Sequence, residues 1–212
     1  QEDVAEAEVV AVDEALFQHL VRGGFFTNEA PADAVVSAYL HVTQRCNLNC
    51  VGCYSLDNQR NQLADASLDH IKHALDELSE AGLTTLIISG GEPFLRSDLP
   101  DIVAYAKRDC GIKAVTVLSN GLCMTEAALA ALAPNVDCVS VSFDGCSASA
   151  PAYIRQEQRF DELVEAVGMV REAGIPAHII PTVHAKNLDD LSDYVRLSKE
   201  LDATLNFSLL TC

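Results

Sequence analysis

From Ala38 to the C-terminus the chain alternates between short β-rich segments and longer segments of helical spacing, and this alternation restricts the fold more than any other feature. The β-rich segments are 39–42, 85–88, 115–118, 139–142, 179–183 and 205–209. Between them, Leu68, Ile71, Leu75 and Leu78 share one helical face behind the N-cap candidate Ser67. Leu99, Ile102, Val103 and Ala106 do the same behind Ser97, and Thr125 opens an Ala-rich helix that stops near Pro134. Leu163, Val164, Val167 and Val170 precede Gly174, while Leu191, Tyr194, Val195 and Ser198 follow the cap candidate Asn187. Gly82, Gly111 and Gly174 stand where helices should end. Such alternation means an α/β fold with parallel strands joined by right-handed crossovers. Six strands fit either an open doubly wound sheet or a barrel-like arc, and in both the loops leaving the C-terminal ends of the strands build the site. Pro181 inside the fifth segment calls for a bulge or a weakened strand there.

Residues 1–37 read as an acidic lead-in with one helix over 9–20, a break at Gly23-Gly24 and a turn around Asn28 to Pro31. The core runs over 38–212 and stops at its last strand with no covering helix, which is the pattern of a truncated domain. The formal net charge is −17, and Lys107-Arg108 is the one adjacent basic pair. A field of that sign repels phosphate backbones, so nucleic acid is excluded as a partner. No apolar run approaches the roughly 20 residues that cross a bilayer, so a membrane is excluded as well. Eight cysteines in a strongly periodic chain without a secretory signal read as reduced thiols, hence a cytoplasmic protein.

Three of those cysteines follow the first strand, in Thr43-Gln44-Arg45-Cys46-Asn47-Leu48-Asn49-Cys50-Val51-Gly52-Cys53-Tyr54. Spaced by three and two residues, Cys46, Cys50 and Cys53 can converge on one metal centre, and thiolates select zinc or iron–sulfur clusters. Structural zinc takes four protein ligands, and a fourth here would require His41, His70 or His73 to fold back. A cubane held by three thiolates leaves one iron open to a substrate-like ligand. A disulfide within the triplet is the third possibility.

Further landmarks follow in order. Ser89-Gly90-Gly91-Glu92-Pro93 comes after the second strand, Ser119-Asn120-Gly121 after the third, and Ser142-Phe143-Asp144-Gly145 after the fourth. Glycines let main-chain groups approach a ligand closely, and Glu92 adds negative charge that favours an ammonium group. No Gly-Lys-Ser/Thr follows, which argues against a phosphate cradle. Ser142 can donate a hydrogen bond, and Arg155 can fork a carboxylate, although Arg159 lies close by.

With the cysteine loop, these motifs resemble the Cx3Cx2C, GGEP, TNG and SxDG landmarks of the radical S-adenosylmethionine (SAM) superfamily, from about Ala38 to the C-terminus. The resemblance implies a partial (β/α)6 TIM-like barrel of parallel strands with outer helices. It implies a [4Fe–4S] cluster on Cys46, Cys50 and Cys53, and SAM chelated to the open iron. Gly90, Gly91, Glu92 and Pro93 would then hold the methionine amine, and Ser142 with Arg155 the methionine carboxylate. A reductant such as flavodoxin or ferredoxin supplies one electron, SAM is cleaved, and the resulting 5′-deoxyadenosyl radical abstracts hydrogen from a substrate. One departure is Gly52, where the family commonly carries a bulky side chain against adenine; Tyr54 or main-chain atoms would have to serve.

The motif set further resembles the peptide- and protein-modifying branch, whose Cys-rich C-terminal extension, the SPASM or twitch domain, would begin beyond Cys212. The expected partner is therefore a peptide or protein substrate. The alternatives are a small-molecule substrate in cofactor or haem biosynthesis, and a non-catalytic iron–sulfur or zinc module, which has no need of a methionine-binding loop. Cys138 reads as a buried strand residue, and Cys123 and Cys146 as packing residues or second-cluster ligands on the site's side of the sheet. Cys110 has no regular spacing to the others, and Cys212 could belong with a following segment. His70 and His73 fall on the outer face of the first helix, and His184 ends the fifth strand where it could face the site. No catalytic acid or base stands out.

Overall fold

Period-two patterning gives each strand one apolar face to bury, and helices with a single apolar stripe are what cover it. The computed structural model, which describes residues 35–53, 55 and 60–210, realises this pattern. Its strands are β1 (Ser37–Thr43), β2 (Thr85–Gly90), β3 (Ala114–Ser119), β4 (Cys138–Phe143), β5 (Ala177–Val183), β6 (Thr204–Leu205) and β7 (Ser208–Leu209). Its helices are α1 (Leu68–Glu80), α2 (Leu99–Arg108), α3 (Glu126–Leu132), α4 (Phe160–Glu172) and α5 (Leu191–Glu200). The strands pair in parallel in the order β1-β2-β3-β4-β5-β6, with β7 also on β5. An order that never reverses has no switch point, so the doubly wound alternative falls and the partial barrel stands.

Leu86, Ile88, Val115, Val117, Val139, Val141 and Ile179 alternate along the strands and are completely buried. They join Leu75, Ile102, Leu129, Leu132, Leu163 and Val167 from the helices in one core cluster. The opposite strand face carries Thr116, Leu118, Ser142, His178, Ile180 and Thr182, all half-buried. Burial pulls the His178 imidazole below its ordinary pKa. The interior of the arc is thus polar enough to hold a cavity, while the apolar core lies between sheet and helices.

Several local expectations change. Ser97 does not cap α2; Asp98 occupies the cap position, and its carboxylate pairs with Arg96 instead of the helix N–H groups. Asn187 occupies the cap position of a short 3-10 turn, Leu188–Asp190, that leads into α5, with no side-chain cap bond. On α5 the core face is Tyr194, Leu197 and Ser198, and Val195 is exposed. The single strand expected over 205–209 is two short pieces. β6 pairs with His178 and Ile179, and β7 with Thr182 and Val183. That break explains Pro181. The carbonyls of Ile179 and Val183 accept from Asn206 and Leu210, so Pro181, two residues from each, turns its missing N–H to the same edge where the partner strand is interrupted. Ser67 and Thr125 do cap α1 and α3, accepting from His70 and Ala128. Gly82, Gly111 and Gly174 take positive φ at helix ends.

The expected helix over 9–20, the Gly23-Gly24 break, Tyr54 and Cys212 lie outside the described residues. Among the described residues no helix is long and apolar enough to cross a membrane.

Tyr194 ties the core to the loop after β4: its ring is fully buried and its hydroxyl accepts the Gly145 N–H at 3.0 Å. Removing that acceptor leaves a buried donor unpaired, at about 1–3 kcal/mol. Tyr194→Phe is therefore expected to lower the unfolding free energy by that amount, read as a lower urea midpoint with an unchanged m-value.

Candidate metal centre

β1 ends in a bulge between His41 and Thr43, opposite Ser89 and Gly90. A bulge turns a strand aside, and here it sends the chain out of the sheet into the cysteine loop. The first residues of that loop are fixed by charge. Asp65 accepts from the Thr43 hydroxyl at 2.6 Å and from the Arg45 guanidinium at 2.6 Å, and Arg45 also donates to the Leu95 carbonyl. Arg96, only 6% exposed, donates to the carbonyls of Val42 and Ala66 while paired with Asp98.

The Gly90-Gly91 pair packs directly on this loop. The Gly91 N–H donates to the Thr43 carbonyl at 2.7 Å and the Glu92 N–H to the Arg45 carbonyl at 2.8 Å. A Cβ on Gly90 would overlap the Thr43 carbonyl, and one on Gly91 the carbonyls of Arg45 and Gln44. The close approach expected toward a ligand is thus made first to the cysteine loop itself. Glu92 also differs from expectation. Its carboxylate is 0% exposed and accepts from Ser119 Oγ (2.8 Å), the Asn120 N–H (2.7 Å) and the Phe94 N–H (3.1 Å). Burial pushes its pKa above the ordinary carboxylate value, against those three donors. Asn120 carries the link onward, donating from Nδ2 to Asn47 Oδ1 at 2.7 Å and lying 3.8 Å from Cys46 Sγ.

A cavity of about 400 Å³ opens at the C-terminal ends of the strands. Cys46, Cys50, Cys53, Gly90, Gly91, Ser142 and Arg155 line it; Glu92 and Pro93 lie behind its wall. Its charged lining residues are Arg60 and Arg155, and no histidine or carboxylate lines it among the described residues. Burial raises the Cys50 thiol above its ordinary pKa, partly offset by Arg155. Burial also works upward on Cys53, but hydrogen bonds with Ser55 and the Arg60 charge outweigh it and the pKa falls.

Asp144 aims Arg155 into this space. Its Oδ2 accepts the Ile154 and Arg155 N–H groups at 2.8 and 2.7 Å, and Arg155 Nη2 then donates to the Ser142 carbonyl at 2.5 Å. The other terminal nitrogen, Nη1, is buried without a partner. Arg159, by contrast, pairs with Glu157 and Glu162 away from the cavity. His184 does not line it either; its ring packs edge-on against Tyr153 at 5.2 Å. Cys123 and Cys146 are half-buried outside the lining, and Cys138 is a buried strand residue. Gly52 has φ +70°, and Leu210 Cδ1 lies 3.1 Å from where its Cβ would stand, so Leu209 and Leu210 form the wall where Gly52 leaves room.

The lining fits an iron–sulfur cluster better than structural zinc: three thiols share it, the histidines that might complete a tetrahedron are not among its residues, and two arginines face the space. His70 and His73 are exposed on α1. Arg45, Arg60, Asp65 and Arg96 escaped the sequence reading. The available signal was three arginines flanking the cysteine and Gly-Gly loops in a chain with only 14 basic residues.

Comparison with known proteins agrees with this geometry. A family model described as the Radical SAM superfamily matches residues 40–198. An AdoMet-dependent heme synthase of Methanosarcina barkeri is 34% identical over 164 residues, 76% of this chain and 46% of that protein. A mycofactocin maturase of Mycolicibacterium smegmatis is 33% identical over 186 residues, 86% of this chain and 46% of its own length. The chain thus spans just under half the length of these relatives. Among solved structures, Streptococcus suis SuiB bound to precursor peptide SuiA superposes over 100% of this chain and 48% of its own, with TM-score 0.73 and 15% identity.

Two substitutions test the stitching of the loops. Gly91→Ala forces the Arg45 backbone aside and is expected to cost about 1–3 kcal/mol in a urea melt, with iron uptake on reconstitution largely lost. Glu92→Gln turns an amide donor toward buried donors and is expected to cost about 1–3 kcal/mol at neutral pH.

Proposed function

The chain belongs to the radical SAM superfamily, and we propose that residues 38–212 are the core of an enzyme that uses this chemistry on a peptide or protein, with 1–37 a separate lead-in. The observation that carries the reading is the cavity lining: three thiols and two arginines, without a carboxylate among the described residues, at the C-terminal ends of parallel strands. When bound, a [4Fe–4S] cluster supplies the electron that cleaves SAM to methionine and a 5′-deoxyadenosyl radical, which takes hydrogen from the substrate. Cys46, Cys50 and Cys53 hold the cluster. The Gly90-Gly91 backbone and the Ser89 side of the cavity receive the methionine amine, while Glu92 and Pro93 set that backbone from behind. Arg155, held by Asp144 and Ser142, offers its unpartnered Nη1 to the methionine carboxylate, a charge-assisted contact. The electron donor is a small reductant such as flavodoxin or ferredoxin, and the setting is the cytoplasm, where thiols stay reduced.

The peptide-directed reading draws on the resemblance to mycofactocin maturase and on the shared fold of SuiB, whose structure holds a precursor peptide. The similar identity to a heme synthase supports a second reading, a porphyrin substrate.

Anaerobic reconstitution with iron and sulfide, followed by SAM and dithionite, is expected to yield 5′-deoxyadenosine. Cys50→Ala should abolish the product, and Arg155→Ala should raise the half-saturating SAM concentration about tenfold or more, the loss of one charged hydrogen bond. Stimulation by a peptide encoded beside the gene supports the first substrate class, and stimulation by a porphyrin the second. Retention of zinc with no iron would overturn both.

A further inference from the structure

Arg60 is only 8% exposed, yet no acidic side chain pairs with it among the described residues. Its Nη1 donates to the Leu48 carbonyl at 3.0 Å, inside the cysteine loop. Its Nη2 reaches Ser55 Oγ at 3.4 Å and Cys53 Sγ at 3.8 Å, beyond the loop's last cysteine. Its Nε is buried with no partner at all. Among the described residues its partners are neutral, and a buried cation held only by neutral groups is costly, because the desolvation of the charge is not offset by an opposite one. The residue lines the same cavity as the three thiols. Among the described residues, therefore, this guanidinium at the edge of the thiol-lined cavity has no acidic partner.

We propose that Arg60 is the built-in counter-charge of the cluster site, a positioning residue that closes the cysteine loop and sets how readily the loaded cluster accepts an electron. This rests on the reading that the cavity holds a [4Fe–4S] cluster. Three thiolates make that cluster net negative, and reduction makes it more so. A fixed positive charge beside Cys53 favours the reduced state and raises the potential, while the fork to Leu48 and Ser55 fixes the loop around it. Arg155 also acts on the Cys50 thiol, but its fixed contact is to the Ser142 carbonyl, whereas Arg60 is held by the cysteine loop itself at Leu48 and Cys53. Both arginines thus face the thiols, and Arg60 is the one anchored within the cysteine loop.

The test compares the full-length protein with its Arg60→Lys and Arg60→Gln variants after anaerobic reconstitution. The readouts are iron content and the midpoint potential of the cluster whose EPR signal shifts on adding SAM. Thermal melts of the apo forms establish that each variant folds. Arg60→Gln is expected to shift the potential negatively by about 59 mV or more, a tenfold loss in a one-electron equilibrium. Arg60→Lys should keep most of the potential while loading less iron, since it retains the charge and loses the fork. If Arg60→Gln folds but fails to load while Arg60→Lys loads at near-native potential, the charge is again what matters. Equal potentials in all three proteins would overturn the inference, as would equal loss of iron in folded Lys and Gln variants, which marks a mere clamp. Absence of a cluster in the unaltered protein would instead overturn the underlying reading, and this inference with it.

Discussion

Two main-chain hydrogen bonds, Gly91 to Thr43 and Glu92 to Arg45, join the loop after β2 to the loop after β1, and the rest of the site is arranged around that seam. Only glycine permits it, because any Cβ at 90 or 91 would enter the neighbouring backbone. Once the loops are joined, the Glu92 carboxylate is carried into the interior, where it meets Ser119 and Asn120 at the end of β3. Asn120 then reaches Asn47 and the vicinity of Cys46. One close approach therefore sets three strand ends in register. A fourth comes in through Asp144, which organises the Arg155 turn by the same device of a carboxylate accepting consecutive N–H groups. The motifs after β2, β3 and β4 thus hold one another in place as well as lining the cavity.

The strand–helix order, the core faces and the position of the cysteine loop were legible because each is a local pattern. Period two marks a strand, period 3.6 a helix, and three close thiols a metal loop. The architecture also lay within reach, but pattern alone left two windings open, and the choice came from pairing order. What sequence could not reveal was long-range satisfaction of polar groups. Glu92 looked like a ligand residue because its motif adjoins the site, yet its oxygens are taken by residues 27 and 28 positions away. Arg45, Arg60 and Arg96 received no role from the sequence, because their partners lie across loops whose folding no local rule predicts. Val195 misled because period 3.6 tolerates a neighbouring residue on the same stripe, and Leu197 took the core position instead.

Charge distribution gives the scaffold its chemical direction. The chain carries −17 overall, yet the cavity has two guanidiniums and, among the described residues, no acidic side chain in its lining. Arginine serves here because it keeps its proton when partly desolvated and presents several donors in a fixed plane. Burial pulls the Arg155 pKa downward, while Cys50, Asp144, Glu92 and Cys46 pull it back. Those groups lie within or behind the cavity wall, so the field inside it is set by near neighbours in a region of reduced dielectric. The acidic exterior acts at longer range and is screened by salt beyond a Debye length of about 8 Å. A strongly acidic protein can therefore keep an interior that attracts thiolates and carboxylates, provided its cations are anchored by backbone carbonyls rather than by the exterior acids. Arg60 on Leu48 and Arg155 on Ser142 meet that condition, and this anchoring is what lets the site differ in sign from the surface around it.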